Sequence, residues 1–253
     1  MSKIPLTVAI ITLDASAQLG ACLDSVTFAD DVLVVDSGSR DATVALAERK
    51  GARVLTAPWR GFGPQKQLAV DNAKHDWVLC VDADERVSPE LGKSIAAAVA
   101  APAAPAALAY RMARRNRFLG RWLHHGEGYP DWSLRLFDRR HAHWSQDTVH
   151  ERVICDGQVA TLQGDLLHES AESLDTYLDK QNRYTSLQAS QLHAQGSRAG
   201  TLRLVLSPVL RFFKFYVLRL GFLDGIPGLL HISIGCMNSY VKYAKLIELQ
   251  RQQ

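Results

Sequence analysis

Two carboxylates spaced two residues apart, Asp82 and Asp84, follow an unbroken apolar run over residues 77–81. Such a run predicts a strand buried on both faces, and a chain leaving a sheet at its carboxyl edge can turn both acids toward one crevice. Hard divalent cations prefer carboxylate oxygens and keep coordination positions for phosphate oxygens. The motif therefore predicts a metal that holds a diphosphate, although an isolated Asp-x-Asp is equally consistent with a solvated acidic turn.

Strands and helices alternate in the sequence before this motif. Apolar, β-rich runs predict strands, and turn residues followed by apolar residues at helical spacing predict the helices between them. Strand, helix, strand at this spacing predicts a parallel sheet, since parallel neighbours need crossover connections. The predicted strands are 7–12, 32–36, 53–55 and 77–81, and the predicted helices are 42–50 and 64–73.

An aspartate at the end of the second strand, Asp36, with Asp-x-Asp after a later strand, resembles the family 2 glycosyltransferases of the GT-A fold. Further segments follow in an order similar to the bacterial subfamily that adds a β-1,4-glucose to the inner-core heptose of lipopolysaccharide. They are residues 128–137, 149–151, 166–168, 182–184 and 221–228. The resemblance implies an α/β fold with a Rossmann-like, mostly parallel sheet, and a helical C-terminal extension. The chain departs from the family's usual Asn-Glu pair after the first strand, where Asp14 and Ala15 stand.

The resemblance also implies a UDP-sugar donor and a divalent cation, Mn²⁺ or Mg²⁺. Asp84 is the preferred metal ligand, while Asp82 contacts the ribose or binds the metal through water. His168 matches the C-terminal histidine ligand of many such enzymes. A neutral imidazole beside carboxylates and a diphosphate would complete an octahedral site.

Four other residues are expected to bind the donor. Asp36 can accept hydrogen bonds from the base or ribose, or it can instead form the turn over residues 37–39. Thr12 ends the first strand on the same rim. Lys66 could pair with a phosphate or be a solvated helix charge, and Arg135 could also bind phosphate.

Inverting sugar transfer requires a carboxylate that accepts the proton of the attacking hydroxyl. Glu151 lies where family 2 enzymes place this acid, after the acceptor loop and before His168. Asp131 is the rival candidate. His150 is then expected to orient its neighbour or to bind the acceptor.

The chain's 253 residues are enough for one sizeable domain or for a domain with an appended helical part. We expect a catalytic domain over residues 1–172 and a helical region over 173–253. Four widely spaced cysteines without a CxxC pair favour a reducing cytosol. A strand predicted from Thr7 leaves no room for a signal peptide.

The C-terminal part is basic: from Arg198 onward it has eight Lys/Arg and two Asp/Glu. Ser207 and Pro208 predict the start of a helix that runs to Leu220. The basic surplus and the apolar face of this helix predict that the protein attaches peripherally to the anionic inner face of the cytoplasmic membrane. An ordinary packed helix is the alternative. Three basic residues share one arc and four apolar residues lie opposite: Arg211, Lys214 and Arg219, and Val209, Phe213, Tyr216 and Leu220.

No run of about 20 uncharged apolar residues occurs, so the sequence predicts no transmembrane helix. It also lacks a nucleic-acid recognition motif and the Gly-rich phosphate loop of a phosphotransferase. The sequence predicts a metal-dependent, inverting transferase that moves a sugar, glucose first, from a UDP-sugar to the lipopolysaccharide inner core. A different lipid-linked or cell-surface glycan as acceptor, or a non-catalytic nucleotide- or glycan-binding protein, remain alternatives.

Overall fold

The computed structural model describes residues 3–100, 107–147, 151–170 and 173–252. The chain forms two compact units, one of Met1–Arg114 with Trp132–His168 and one of Arg115–Asp131 with Glu169–Gln253. The second unit therefore includes residues 115–131, which the sequence assigned to a catalytic domain ending at 172. The division into functional domains stays a prediction, and His150 lies outside the described residues.

One mixed sheet organises the first unit. Its strand order is β3-β2-β1-β4-β8-β6-β11-β5, β7 pairs with the end of β6, and β9 and β10 form a separate pair. The described strands are β1 (Ile4–Thr12), β2 (Ala29–Asp36), β3 (Arg53–Thr56), β4 (Trp77–Asp82), β5 (Glu85–Val87), β6 (Ala109–Phe118), β7 (Arg121–Trp122), β8 (Asp131–Asp138), β9 (Ala142–Trp144), β10 (Val153–Cys155) and β11 (Val159–His168).

Helices lie between the strands of the first unit and dominate the second. The first unit contains α1 (Ser16–Ser25), α2 (Thr43–Arg49), α3 (Phe62–Asp71) and α4 (Pro89–Ala100). The second contains α5 (Leu174–Ala194), α6 (Thr201–Phe212), a π-helical turn (Phe213–Leu218), a 3₁₀ turn (Gly221–Asp224) and α7 (Gly225–Arg251). The two helices predicted over 42–50 and 64–73 are confirmed as α2 and α3, with ends shifted by one or two residues.

The first four strands in the sheet order are parallel, as the sequence predicted, and β4 is buried on both faces. Leu79 and Val81 join one apolar cluster, while Val78 and Cys80 join the other, because successive side chains of a strand point to opposite faces. Burying each large apolar side chain contributes roughly 1.5–3 kcal/mol. Both layers of the core therefore hold the strand that carries Asp82.

The sheet reverses direction beyond β4. β8 runs antiparallel to β4, with Leu136 opposite Leu79, so the start of β8 lies at the carboxyl end of β4. β11 runs antiparallel to β5 and places His168 opposite Glu85. These two reversals bring residues distant in sequence to the edge where the Asp-x-Asp motif lies.

In the second unit, α5 begins at the start of the region that the sequence predicted to be helical from residue 173. The helix predicted from Ser207–Pro208 to Leu220 is wrong in its start. α6 begins at Thr201, after the N-cap residue Gly200, and contains Pro208. The apolar spacing continues upstream of Pro208, and packing of α6 on α7 extends the helix through a residue that lacks one backbone donor. The π-helical turn follows α6 directly.

Over the described residues, no single helix is long and apolar enough to cross a bilayer. One bent pair, Thr201–Leu218 with Gly221–Arg251, meets the length and composition criteria together, with a bend of 74°.

Candidate functional site

Thr12 and Asp36 lie at the carboxyl ends of adjacent parallel strands and face each other in the register. The Thr12 hydroxyl donates to Asp36 Oδ1 at 3.2 Å, and the backbone N–H groups of Gly38 and Ser39 donate to Oδ2 at 2.9 Å each. The Ser39 hydroxyl also donates to Asp36. Asp36 therefore forms the turn after β2, which is the alternative that the sequence left open, while its role in donor binding stays a prediction.

This turn is charged and rigid. Burial alone would raise the pKa of Asp36, but the hydrogen bonds from Ser39 and Gly38 outweigh burial and hold the pKa below its ordinary value. Asp14, which stands where the family usually has Asn, has a φ of 48° that Asp tolerates better than most residues. Its Oδ1 accepts the backbone N–H of Arg40 at 2.7 Å, so it fastens the same turn to the end of β1.

Lys66 lies between two of the predicted site carboxylates, Asp82 and Glu151. Its Nζ lies 2.9 Å from Glu151 Oε1 and 3.1 Å from Asp82 Oδ1, and the residue is only 5% exposed. The prediction that Lys66 lies at the site is thus consistent with its place, but its described partners are acids of the chain. A solvated helix charge is ruled out by this burial.

Arg135 holds Asp82 from the other side. Its Nη2 donates to Asp82 Oδ2 at 2.7 Å and to Glu85 Oε1 at 3.1 Å. Glu85 is 0% exposed, and its Oε2 accepts the backbone N–H of Asp82 at 2.9 Å. Burial alone would raise the pKa of Asp82, but the charges of Arg135 and Lys66 hold it well below its usual range. Asp82 is therefore an ionised carboxylate whose two oxygens are already bound by cations.

Two residues of this cluster were not assigned a role from the sequence. Glu85 directly follows the Asp-x-Asp motif, and its nearness was the only available signal. Trp144, at the end of β9, places its ring 4.8 Å from Lys66 Nζ and 5.8 Å from the Arg135 guanidinium carbon. No motif marks it, because its contribution depends on the packing of α3 and β8 around it.

Gly63 permits the close approach of α3 that delivers Lys66. Its backbone N–H donates to the carbonyl of Asp147 at 3.3 Å. A Cβ at this position would overlap the carbonyl oxygen of Ser145 and lie 2.6 Å from that of Asp147. Only glycine fits here without a shift of the helix.

Asp84 and His168, the two predicted metal ligands, are brought together by the pairing of β5 with β11. His168 Nε2 lies 3.2 Å from Asp84 Oδ2, and both side chains are partly open to solvent. One carboxylate and one imidazole fit Mn²⁺ or Mg²⁺ that takes its remaining ligands from water and phosphate. Among the described residues, no group of three or more His, Cys, Asp or Glu side chains could hold a metal alone.

The two candidate bases fall in different compact units. Glu151 belongs to the first unit, with Lys66 and Asp82, whereas Asp131 begins β8 and belongs to the second. Within the first unit, the structure thus gathers Glu151, Lys66, Asp82 and Arg135 in one cluster. Its acids and cations alternate, which fits a site that handles a charged leaving group and a proton.

Comparison with known proteins identifies the family of the chain. The model of "Glycosyl transferase family 2" matches residues 7–156, which contain the cluster and Asp84. A lipopolysaccharide core biosynthesis glycosyltransferase, LpsC of Rhizobium meliloti, is 29% identical over 97% of this chain and 93% of its own length. An uncharacterised glycosyltransferase of Rickettsia bellii is 31% identical over 96% of this chain and 86% of its own.

Solved structures are more distant. A fragment of S. aureus TarS in complex with UDP-GlcNAc has a TM-score of 0.49 and 14% identity, and the match covers 100% of this chain and 92% of that one. Glucosyl-3-phosphoglycerate synthase of Mycobacterium tuberculosis, in complex with phosphoglyceric acid, has a TM-score of 0.49 and 16% identity over 78% and 82%. The family match spans more than half of the chain and agrees with the α/β sheet predicted from the sequence. The chain belongs to glycosyl transferase family 2.

Proposed function

We propose that the protein is an inverting glycosyltransferase that moves a sugar, glucose as the first candidate, from a UDP-sugar to the lipopolysaccharide inner core. The observation that carries the proposal is the shared ammonium of Lys66, 3.1 Å from Asp82 and 2.9 Å from Glu151. It links the donor-side acid to a carboxylate able to take a proton. The similarity to LpsC along nearly both full chains supports the acceptor class.

The proposed reaction assigns a role to each of these residues. The acceptor hydroxyl oxygen forms a bond to the anomeric carbon while the bond from that carbon to the diphosphate breaks, and UDP leaves with the electron pair. The hydroxyl proton passes to Glu151. A general base must lie within hydrogen-bond reach of the nucleophile, and Glu151 is assigned that position. Lys66 orients Glu151 through their ion pair, and Arg135 fixes Asp82 beside the donor.

A divalent cation would be held by Asp84 and His168. When bound, it would supply positive charge for the leaving diphosphate. Asp82 forms ion pairs with Lys66 and Arg135, so its assigned role is to contact the ribose or to bind the metal through water. This assignment keeps Asp84 as the metal ligand.

The test combines a donor screen with an acid variant. UDP-sugars are offered with truncated core glycolipids, and transfer is measured for the wild type and for Glu151→Gln. The variant keeps the shape but cannot accept the proton, so turnover should fall about 10²–10⁴-fold with little change in UDP-sugar affinity. Glu48→Gln, an exposed helix residue of the same unit, is the matched control and should retain full activity.

Two outcomes would contradict the assignment. If Glu151→Gln stays active and Asp131→Asn loses turnover, the base is Asp131. If the wild type binds UDP-sugars but transfers none to any core glycolipid, the lipopolysaccharide acceptor is wrong. A second glycan class as acceptor, or a binding role without catalysis, would then be tested in its place.

A further inference from the structure

The second unit has an exposed apolar stripe along α6. The side chains recur at intervals of three and four residues, the spacing of one helix face, and that spacing normally marks the face turned toward a protein core. Here the stripe faces outward: Leu202 is 73% exposed and Leu210 is 64% exposed. The α6 stripe consists of Leu202, Val205, Leu206, Val209, Leu210 and Phe213.

The first half of α7 repeats this arrangement. Its exposed apolar residues also recur at helical spacing, and Ile226 is 73% exposed. Its buried positions are three or four residues apart and mostly small, which suits close packing against α6. The α7 stripe consists of Ile226, Leu229, Leu230, Met237 and Tyr240, and the 3₁₀ turn between the helices adds exposed Phe222 and Leu223.

Two charged residues of the same unit, Arg211 and Asp224, are engaged in its interior. Arg211 forms an ion pair with Glu127 and donates to the Ser239 hydroxyl at 3.0 Å. Asp224 is 1% exposed, and its Oδ2 accepts the backbone N–H groups of His124 and His125 at 2.9 and 2.8 Å. Ion pairs and hydrogen bonds thus hold the side of this unit that contacts residues 124–129, while the two apolar stripes of α6 and α7 are exposed. A contiguous exposed apolar patch of this kind marks an interaction surface.

The electrostatic docking predicted from the sequence stays a prediction, but two of its three charges already have partners within the chain. Arg211 is engaged with Glu127 and Ser239, and Arg219 donates to the backbone carbonyl of Tyr129 at 3.2 Å. The Arg211 guanidinium uses all three of its nitrogens in these contacts, whereas Arg219 uses one nitrogen and keeps further N–H donors. Lys214 is exposed on the π-helical turn.

We propose that the α6 and α7 stripes enter the interfacial layer of an anionic lipid bilayer. The expected location, the inner face of the cytoplasmic membrane, is kept, and the mode of attachment changes from surface charge to apolar insertion. The bent helix pair meets membrane hydropathy criteria only as a pair, which fits helices lying in the interface, about 5–10 Å deep.

Charge favours lipid over a second copy of the chain as the occupant. Residues 201–247 contain six Lys/Arg and a single acid, the buried Asp224, and Glu127 pairs with Arg211, so a surplus of positive charge remains on this part of the chain. Two copies packed through this face would bring like charges together, whereas anionic headgroups would neutralise them. Exposed basic residues such as Lys214 then assist binding, while the apolar stripes supply most of the binding free energy.

The experiment is flotation of the full chain with phosphatidylethanolamine–phosphatidylglycerol vesicles. The wild type should float, and it should remain bound in about 1 M salt, where the Debye length falls to about 3 Å. Leu210→Glu and Ile226→Glu should each lower the vesicle partition coefficient by about tenfold or more. Val159→Glu, an exposed apolar position on β11 of the first unit, is the matched control and should float like the wild type.

Several results would overturn the proposal. They are a wild type that does not float, complete release in high salt, and variants that float as the wild type does. A wild-type dimer that Leu210→Glu converts to a monomer without affecting flotation would assign the face to a second copy. UDP binding by the variants is measured in parallel and should be unchanged, so failure of membrane insertion is distinguishable from failure of the proposed catalysis.

Discussion

Replacing Arg135 with methionine tests whether the buried ion network holds the Asp-x-Asp motif. The change removes the 3.1 Å partner of Glu85, which is 0% exposed and keeps Arg114 Nη1 at 3.5 Å, and it leaves Asp82 with Lys66 alone. Removing one member of a buried ion pair costs about 3–5 kcal/mol. Asp82 has 27% of its side chain exposed and can rehydrate, so we expect the lower end, about 3 kcal/mol. This is a large part of the roughly 5–15 kcal/mol that stabilises a typical domain.

The assay is urea unfolding followed by tryptophan fluorescence, with the midpoint compared at constant slope. Lys50→Met is the control, because its ion pair with Asp24 lies at the surface and should matter by less than about 1 kcal/mol. Adding Glu85→Gln to Arg135→Met removes a buried charge that has lost its nearer cation and keeps only the longer contact with Arg114, and it should restore about 1–3 kcal/mol. No coupling between these two changes, or a loss below about 1 kcal/mol for Arg135→Met, would refute the reasoning.

The pH dependence of this difference gives a second check. The pKa of Asp82 is lowered on folding, so its ion pairs contribute fully above the unfolded value of about 3.9 and are lost as pH falls toward the folded value. The gap between wild type and Arg135→Met should therefore be widest near neutral pH and should narrow below about pH 4. A gap that widens in acid would contradict the assigned charges.

Three further predictions concern single positions. Asp84→Ala should abolish Mn²⁺-dependent UDP binding measured by calorimetry without unfolding the chain, and full activity of this variant in chelator-treated buffer would remove it from the metal site. Gly63→Ala should lower transfer and cost roughly 1–3 kcal/mol in thermal unfolding, because its Cβ meets backbone oxygens, whereas Gly20→Ala meets nothing closer than 3.7 Å and should be neutral or stabilising. Burial raises the pKa of Cys80 to about 11, so iodoacetamide at neutral pH should leave it unmodified in the native protein, and labelling seen by peptide mass spectrometry would show that β4 opens.

The sheet edge that carries Thr12, Asp36 and Asp82 could be predicted from the local pattern of apolar residues. Apolar runs locate β1, β2 and β4, and parallel pairing then requires Thr12, Asp36 and Asp82 to lie near the same edge. The meeting of Asp84 with His168 was predicted from motif order and not from periodicity, because it depends on the antiparallel pairing of β5 with β11.

The ion pairs that Lys66 and Arg135 form with the acids of the site could not be predicted in the same way. Which cation meets which acid depends on the register of β8 against β4 and on the close approach of α3 at Gly63. Glu85 and Trp144 were missed for this reason, since neither has a local signal that differs from a turn acid or a core aromatic. The start of the helix was predicted wrongly at Pro208. The preference of proline for the first turn is local, whereas packing against α7 extends α6 upstream of this residue.

The Asp36 turn has a kinetic consequence. Asp36 and Asp14 together receive hydrogen bonds from five backbone or hydroxyl donors, so residues 38–40 are fixed to the ends of β1 and β2 in the protein alone. If a nucleotide binds at this edge, as proposed, the turn over residues 38–40 is already ordered before it arrives. Its association rate should then reflect diffusional encounter and charge, without a slow step for ordering of the loop.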